Sequence, residues 1–288
     1  MPELKIPEDP VLLVVVDQSE WAIRVLNTAR AMAHTLDSRL HVLHCCQSPE
    51  ELPPHEEYLT DLFTKTHLAM NSLRSTSEVV CGEPIQEILG AIDRVNGVMM
   101  LVMGTHGETG SQQALLGHVT GEVIKQAKVP VLLTRRNMNI PVQINRILVP
   151  LDGSPQAASI VPFAAQIAER CGGRVDLFHV VGSRAELVNV AGSMAPPRYM
   201  DHPIHEWGAW EHEFLERFFQ PGRYEETKIP VRLYMGHGEV APAIVKASKH
   251  YQSDLVACGW SGRLEEKHGA VLKSLLIDLQ CPLLVYHG

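Results

Sequence analysis

With 288 residues and a formal charge of −8, the chain is long enough for two domains of roughly 140 residues, each able to bury its own core. Acidic and basic residues are interspersed with no long run of one sign, which argues against a grip on phosphodiester backbones and so against nucleic acid as a partner. Met1 to Lys5 carry no basic leader, and the first apolar run stops at Asp17, too short for a signal sequence or a membrane span; a cytoplasmic protein without membrane attachment is expected.

Val11-Leu12-Leu13-Val14-Val15-Val16 reads as a strand ending in Asp17-Gln18-Ser19, with Ser19 placed to cap the following helix. Ala22, Val25, Leu26, Ala29, Ala33 and Leu36 then recur at helical spacing. Leu40 to Cys45 is a second strand, and Val79-Val80-Cys81-Gly82-Glu83-Pro84 is a strand entering a helix with Ile85, Ile88 and Leu89 on one face. Met99-Met100-Leu101-Val102-Met103 is an apolar strand that runs into Gly104-Thr105-His106-Gly107. Nine residues further on, Gly117-His118-Val119-Thr120 opens another helix. Val131 to Thr134 closes this set of strands. The polar, proline-terminated stretch Arg135 to Pro141 is the expected linker, with Arg135-Arg136 a solvated patch rather than a phosphate grip.

The second half repeats the first. Ile147 to Leu151 with Asp152-Gly153-Ser154 answers Val11 to Ser19. Pro155 stands at a first helical position, Ala157 to Cys171 follow helical spacing, and Gly172-Gly173 supplies the stop. Val175 to Val180 answers Leu40 to Cys45, and the separation from Asp17 to His44 equals that from Asp152 to His179. Leu233 to Glu239, Asp254 to Gly262 and Pro282 to Tyr286 complete the copy. The extra length lies near 183–212, where Gly192 to Pro197 reads as a loop and Asp201 to His212 gathers histidines, acids and two tryptophans. That last spacing fits no metal motif and reads as an amphipathic surface or lid. Strands alternating with helices imply right-handed crossovers. The expected fold class is therefore α/β, two tandem domains, 1–138 and 139–288, each a five-stranded, mostly parallel sheet flanked by helices.

The six cysteines, Cys45, Cys46, Cys81, Cys171, Cys258 and Cys281, show neither zinc-ligand nor C-x-x-C spacing. Buried free thiols are expected, with vicinal Cys45-Cys46 the one pair to test for redox behaviour.

In an open parallel sheet, ligands bind beyond the carboxyl ends of the strands, where strand order reverses. Asp17, Cys45 and Gly104 all follow strands and converge on that edge. Gly104 and Gly107 let backbone N–H groups close on an anion, and Gly117 to Thr120 bring the amides of a helix N-terminus. Thr120 adds a hydroxyl donor, while Asp17 accepts from a ribose hydroxyl or holds a metal ion. His44 and His179, at matching strand ends, read as satisfied structural imidazoles.

These residues carry a likeness. The spacing G-x-x-G, nine residues, then G with a small polar residue resembles the ATP-binding signature of the universal stress protein family. The likeness extends to the opening strand ending in Asp, to the L-x-x-x-H strands at His44 and His179 and to the G-x-P turn at Gly82 to Pro84. It covers nearly the whole chain, twice, so the chain looks like a tandem member. The resemblance implies Rossmann-like domains of the adenine nucleotide alpha hydrolase-like type, a stress-response role and a site for ATP with magnesium. By that likeness Val16 and Asp17 sit at ribose or adenine, Cys45 beside the adenine, Met103, Gly104, His106 and Gly107 along the cradle, and Gly117, His118, Val119 and Thr120 at the phosphates. It further implies pairing through the last strands, laying Val131 to Thr134 against Leu283 to Tyr286, as an intrachain pseudo-dimer or in a homodimer.

The chain also departs from the pattern. Gln18 stands where the family often has Gly, and Gly117-His118 replaces the family's G-S or G-T. In the second half Gly269 falls opposite Gly117 after a shorter gap, Ala270 lacks a hydroxyl and Leu272 replaces Thr120. The nucleotide pocket is therefore expected chiefly in the first half. With no G-x-x-x-x-G-K-[ST] and no lysine in the cradle, binding without strong catalysis is expected. The alternatives are a weak ATP hydrolase or nucleotidyl-transfer enzyme using Asp17 with His106 or His118, and a partner-interaction protein that binds no nucleotide.

Overall fold

The computed structural model describes residues 4–67, 74–105, 116–181, 229–260 and 267–287, which gather into two compact units. The first contains β1 (Val11–Val16), α1 (Ala22–Leu36), β2 (Arg39–Cys46), a 3-10 turn (Pro49–Glu51), α2 (Leu52–Lys65), β3 (Ser75–Cys81), α3 (Pro84–Arg94), β4 (Val98–Gly104), α4 (His118–Gln126) and β5 (Val131–Thr134). Its sheet runs β3-β2-β1-β4-β5, all parallel. Leu12, Leu13, Val14, Met100, Leu101 and Val102 are completely buried, because a parallel strand covered by helices on both faces has no solvent side to give to polar residues.

Helix α2 is not among the elements expected from the sequence, and Pro53 and Pro54 stand in its first turn. Prolines are tolerated in a first helical turn, since the N–H they lack would have no intrahelical acceptor there. Leu59, Leu62 and Phe63 then bury one face of the helix.

The second unit, chiefly Ile144–Leu279, holds β6 (Arg146–Leu151), α5 (Pro155–Ala158), α6 (Val161–Cys171), β7 (Arg174–Val181), β8 (Val231–His237), α7 (Val240–His250), β9 (Leu255–Trp260) and α8 (Lys267–Asp278). Its order, β9-β6-β7-β8 with parallel pairs throughout, repeats β4-β1-β2-β3. The helix expected from Ala157 to Cys171 is broken into α5 and α6. Pro162 has no N–H to give the Ala158 carbonyl and its ring would clash with it, so α5 stops and α6 starts afresh. Gly172, at φ 66°, ends α6 in the left-handed conformation that glycine adopts without strain. The segment 183–212, with its loop and His/Trp-rich stretch, lies outside the described residues.

The last strand, β10 (Leu283–His287), belongs to the first unit. It pairs antiparallel with β5, Leu283 opposite Leu133, Leu284 opposite Leu132 and Val285 opposite Val131. The two apolar edges singled out in the sequence thus lie together, and each removes the other's unpaired backbone groups from solvent. Among the described residues no helix is long and apolar enough to cross a membrane.

In Arg135 to Met138, Arg136 and Asn137 are exposed, as expected of a solvated stretch, yet the backbone is anchored. The Arg24 guanidinium donates to the Arg135 carbonyl at 3.1 Å and to the Met138 carbonyl. Arg136 lies 4.8 Å over the Trp21 ring, and Met138 is buried. The segment is fastened to the start of α1.

His44 and His179 occupy matching places. Each is buried, and each donates from Nδ1 at 2.8 Å to the last carbonyl of the neighbouring strand, Val16 or Leu151. Burial pushes the His179 imidazole below its usual range, outweighing the Leu151 carbonyl and the Asp152 carboxylate, which push it up.

Two outcomes are expected. Leu284→Ala should cost about 2–5 kcal/mol and speed amide exchange at Val131–Thr134, read by urea melts and hydrogen exchange. Because the unfolded chain takes up a proton at His179 more readily than the folded one, stability is complete above about pH 6.5 and falls as the pH drops below it. The loss should approach about 1.4 kcal/mol per pH unit while unfolded His179 is protonated and folded His179 is not. His179→Asn, which keeps a donor for Leu151, should flatten that slope in urea titrations between about pH 5 and 7.

Candidate functional site

Strand order in the first unit reverses between β1 and β4, since the connections from β1 run outward to β2 while β4 returns on its other side. The carboxyl ends of β1, β2 and β4 therefore form a rim at the position where α/β sheets accept ligands. Val16 stands opposite His44, and Gly104 opposite Thr134. Val16 and Met103 are buried, so what they present at this rim is backbone. Asp17 Oδ1 accepts from the Ser19 amide at 3.2 Å and from its hydroxyl at 2.5 Å. Ser19 Oγ in turn receives the Trp21 amide at 3.3 Å, and α1 begins only at Ala22.

The two ends of the glycine pattern meet. Gly117 N–H donates to the Thr105 carbonyl at 2.8 Å, beside Gly104, and the Thr105 N–H donates to Thr134 at 3.1 Å. Gly117 is the N-cap of α4, so the first-turn amides of His118, Val119 and Thr120 open beside the end of β4. Gly117 has φ −63° and ψ 153°, angles open to any residue, so backbone strain does not explain the glycine. A missing side chain at a helix N-terminus does leave room for a ligand to approach the amides. His118 is exposed. Glu122, one turn on, has its carboxyl held below the usual range, chiefly by Lys125, with His118 adding to the effect.

Thr120 does not offer the expected hydroxyl. It is buried, and its Oγ1 donates to the Gly104 carbonyl at 2.9 Å. As the third residue of α4 it faces β4, and it braces strand to helix. His106 and Gly107 lie outside the described residues.

Helix α2 adds residues that strand and glycine patterns do not reveal. The Tyr58 hydroxyl donates to the Asp17 carbonyl, fixing the end of β1 from above. His55 stacks on His44 with ring centroids 4.8 Å apart, and its Nδ1 lies 2.6 Å from His44 Nε2. Since His44 Nδ1 must donate to a carbonyl, a neutral His44 accepts at Nε2 and His55 donates. Glu51 lies 3.9 Å from His55 Nε2, and the Gln18 amide 3.4 Å from Nδ1. The signal in the sequence was Leu59, Leu62 and Phe63 at helical spacing, hidden behind two prolines.

Cys45 is half-buried at the same rim. Burial pushes its thiol up to about 12, with Glu87, Glu83 and Glu78 adding and Arg94 opposing. The expectation of six free thiols needs correction, because Cys46 and Cys81 form a disulfide across β2 and β3. The strand register sets them directly opposite each other, Cα atoms 4.7 Å apart, though 35 residues separate them in sequence. Cys45, Cys171, Cys258 and Cys281 take no part in that bond.

The second unit reproduces the frame. Asp152 Oδ1 accepts from the Ser154 amide at 2.8 Å and hydroxyl at 2.6 Å, and Ser154 Oγ caps α5 through the Ala157 amide at 3.1 Å. Gly259, which answers Gly104, has the carbonyls of Gln156 and Ala157 packed where a Cβ would stand, Ala157 at 2.7 Å. Gly269 lies inside α8 rather than at its cap, and Leu272 is buried where Thr120 stands in the first copy. Ser261 and Gly262 are outside the described residues. A groove of about 300 Å³ between α3 and α4, lined in part by Leu89, Asp93, Gln126 and Lys128, sits at the far end of α4 from Gly117. Among the described residues no three His, Cys, Asp or Glu side chains are grouped to hold a metal ion.

Comparison with known proteins agrees with this repeated frame. The universal stress protein family matches at residues 11–135 and again at 143–287. A stretch of 58 residues is 43% identical to Universal stress protein MJ0577 of Methanocaldococcus jannaschii, spanning 20% of this chain and 35% of that relative. Among solved structures, a universal stress protein from Archaeoglobus fulgidus is similar over 98% of this chain and 100% of its own, with 18% identity and a TM-score of 0.70. A putative universal stress protein from Pseudomonas aeruginosa is similar over 97% and 93%, with 18% identity and a TM-score of 0.62. At those identities the structural likeness speaks to the fold alone, whereas the twofold family match fixes membership: the chain belongs to the universal stress protein family and carries two of its domains in tandem.

Proposed function

We propose that the first unit binds an adenine nucleotide and serves as a nucleotide-sensing module of a stress response in the cytoplasm, without steady turnover. The observation that carries this reading is the Gly117 N–H to Thr105 carbonyl bond, which brings Gly104 and Gly117 together at the strand-order reversal. A polyphosphate there would accept from the first-turn amides of α4, where the helix dipole also favours negative charge. Asp17, steadied by Ser19 and Tyr58, is the acceptor for a ribose hydroxyl at the end of β1. The residues fit binding better than phosphoryl transfer. The cradle supplies no lysine to carry transferred charge, and the Thr120 proton is committed to Gly104. In the second unit Gly269 lies inside α8 rather than at its cap, and that copy serves as scaffold in this reading.

Mass spectrometry of small molecules released from gently purified protein should find an adenine nucleotide in the wild type and none in Gly117→Val. The substitution costs no more than about 1 kcal/mol at the cap, so the fold should stay intact. ATP at about a hundred times its Kd should stabilise the wild type by about 2.7 kcal/mol, read as a rise in Tm. An unchanged Tm would remove the nucleotide reading, and steady ATP hydrolysis abolished by Asp17→Ala would replace it with an enzyme.

A further inference from the structure

We propose that Cys46 and Cys81 are a reversible thiol–disulfide couple whose state is read by the segment joining β2 to α2. The couple stands on its own residues and does not depend on what the rim binds.

Strand pairing alone places the two cysteines opposite each other, and the Gly82 N–H donates to the Cys46 carbonyl at 3.0 Å just beyond them. The sheet holds the two residues together whether or not the sulfurs are joined, so both states are compatible with the fold. Access is one-sided. β3 is the outer strand of the first unit, and Cys81 is half-buried while Cys46 is 3% exposed. Cys81 is therefore the sulfur that a small molecule meets, and Cys46 the one that resolves. Cys45 does not compete, because neighbouring strand residues face opposite ways and its thiol resists ionisation in its buried, acidic surroundings.

The readout is a single carbonyl. Ser48 O lies 3.5 Å from Cys46 Sγ and 3.3 Å from Cys81 Sγ. In the dithiol both S–H groups can donate to it. In the disulfide neither sulfur carries a proton, and the carbonyl faces only lone pairs. Ser48 also accepts from the Glu51 amide at 3.1 Å and begins the turn that leads into α2. That helix carries His55, 2.6 Å from His44, and Tyr58, bonded to the Asp17 carbonyl. A change at the sulfurs thus reaches the rim through one short turn and one helix.

The chemistry balances with a low-molecular-weight disulfide as oxidant. The Cys81 thiolate attacks one of its sulfurs, the small S–S bond breaks, and one small thiolate leaves. The Cys46 thiolate then attacks Sγ of Cys81, forming the Cys46–Cys81 bond and expelling the second small thiolate. Two electrons pass from the protein to the small disulfide, and the two protons lost by the cysteines end on the two departing thiols. Reduction by the small thiol is the reverse.

To test this, the full chain is equilibrated under native conditions with mixtures of reduced and oxidised glutathione, quenched with acid, alkylated and mapped by mass spectrometry. The Cys46–Cys81 cross-link should pass reversibly from nearly complete to nearly absent as the thiol share rises, unchanged in Cys45→Ser. Amide exchange over residues 47–58 should differ about threefold or more between the two states, and Cys81→Ser should show the reduced pattern under oxidising mixtures. A cross-link that survives full native reduction would make the bond purely structural and overturn the proposal. So would thiols that never couple, a preferred Cys45–Cys81 pairing, or exchange over 47–58 that ignores the redox state.

Discussion

One hydrogen bond holds the candidate site together. The Gly117 amide reaches the Thr105 carbonyl at 2.8 Å and seats the start of α4 against the end of β4. Thr120, donating to Gly104 at 2.9 Å, locks the same junction from the buried side. Residues 105 and 117 are thereby held together, and the helix presents its N-terminal amides beside the strand-order reversal. Asp17, His44 and Cys45 gain their relevance from standing on the same rim.

The two copies show what that junction is worth. Both units keep the aspartate-to-serine bonds after the first strand and the buried histidine donating to that strand's last carbonyl. Those contacts belong to the fold, because they recur in both units. What differs lies one strand over. In the first unit a glycine caps α4. In the second, Gly269 has moved inside α8, and α5 lays its carbonyls against Gly259. Gly259 is glycine for packing, since a Cβ there would meet those carbonyls.

The repeated frame was legible because it rests on local patterns. The apolar runs Val11 to Val16 and Met99 to Met103 match the demands of strands buried on both faces, and the equal spacing of Asp17–His44 and Asp152–His179 marks the duplication. Errors arose where a local signal was ambiguous. Two prolines concealed α2, and with it His55 and Tyr58. A third, Pro162, broke a helix whose apolar spacing is continuous. Arg136 is exposed as expected, but sequence does not show that Arg24 and Trp21, at the start of α1, hold that segment.

The family resemblance implied the edges that pair as β5 and β10, whereas periodicity and duplication in the chain were enough to establish two α/β domains in tandem and the placement of Asp17 and Gly104 at strand ends. Those conclusions follow from patterns within a dozen residues, or from one half compared with the other. Tertiary structure alone decided that Thr120 turns inward, that Tyr58 and His55 reach the rim, that Gly269 lies inside its helix and that Cys46 meets Cys81. Each of these depends on which residues face one another across neighbouring elements. Register and packing set that, and no spacing along a single strand or helix encodes it.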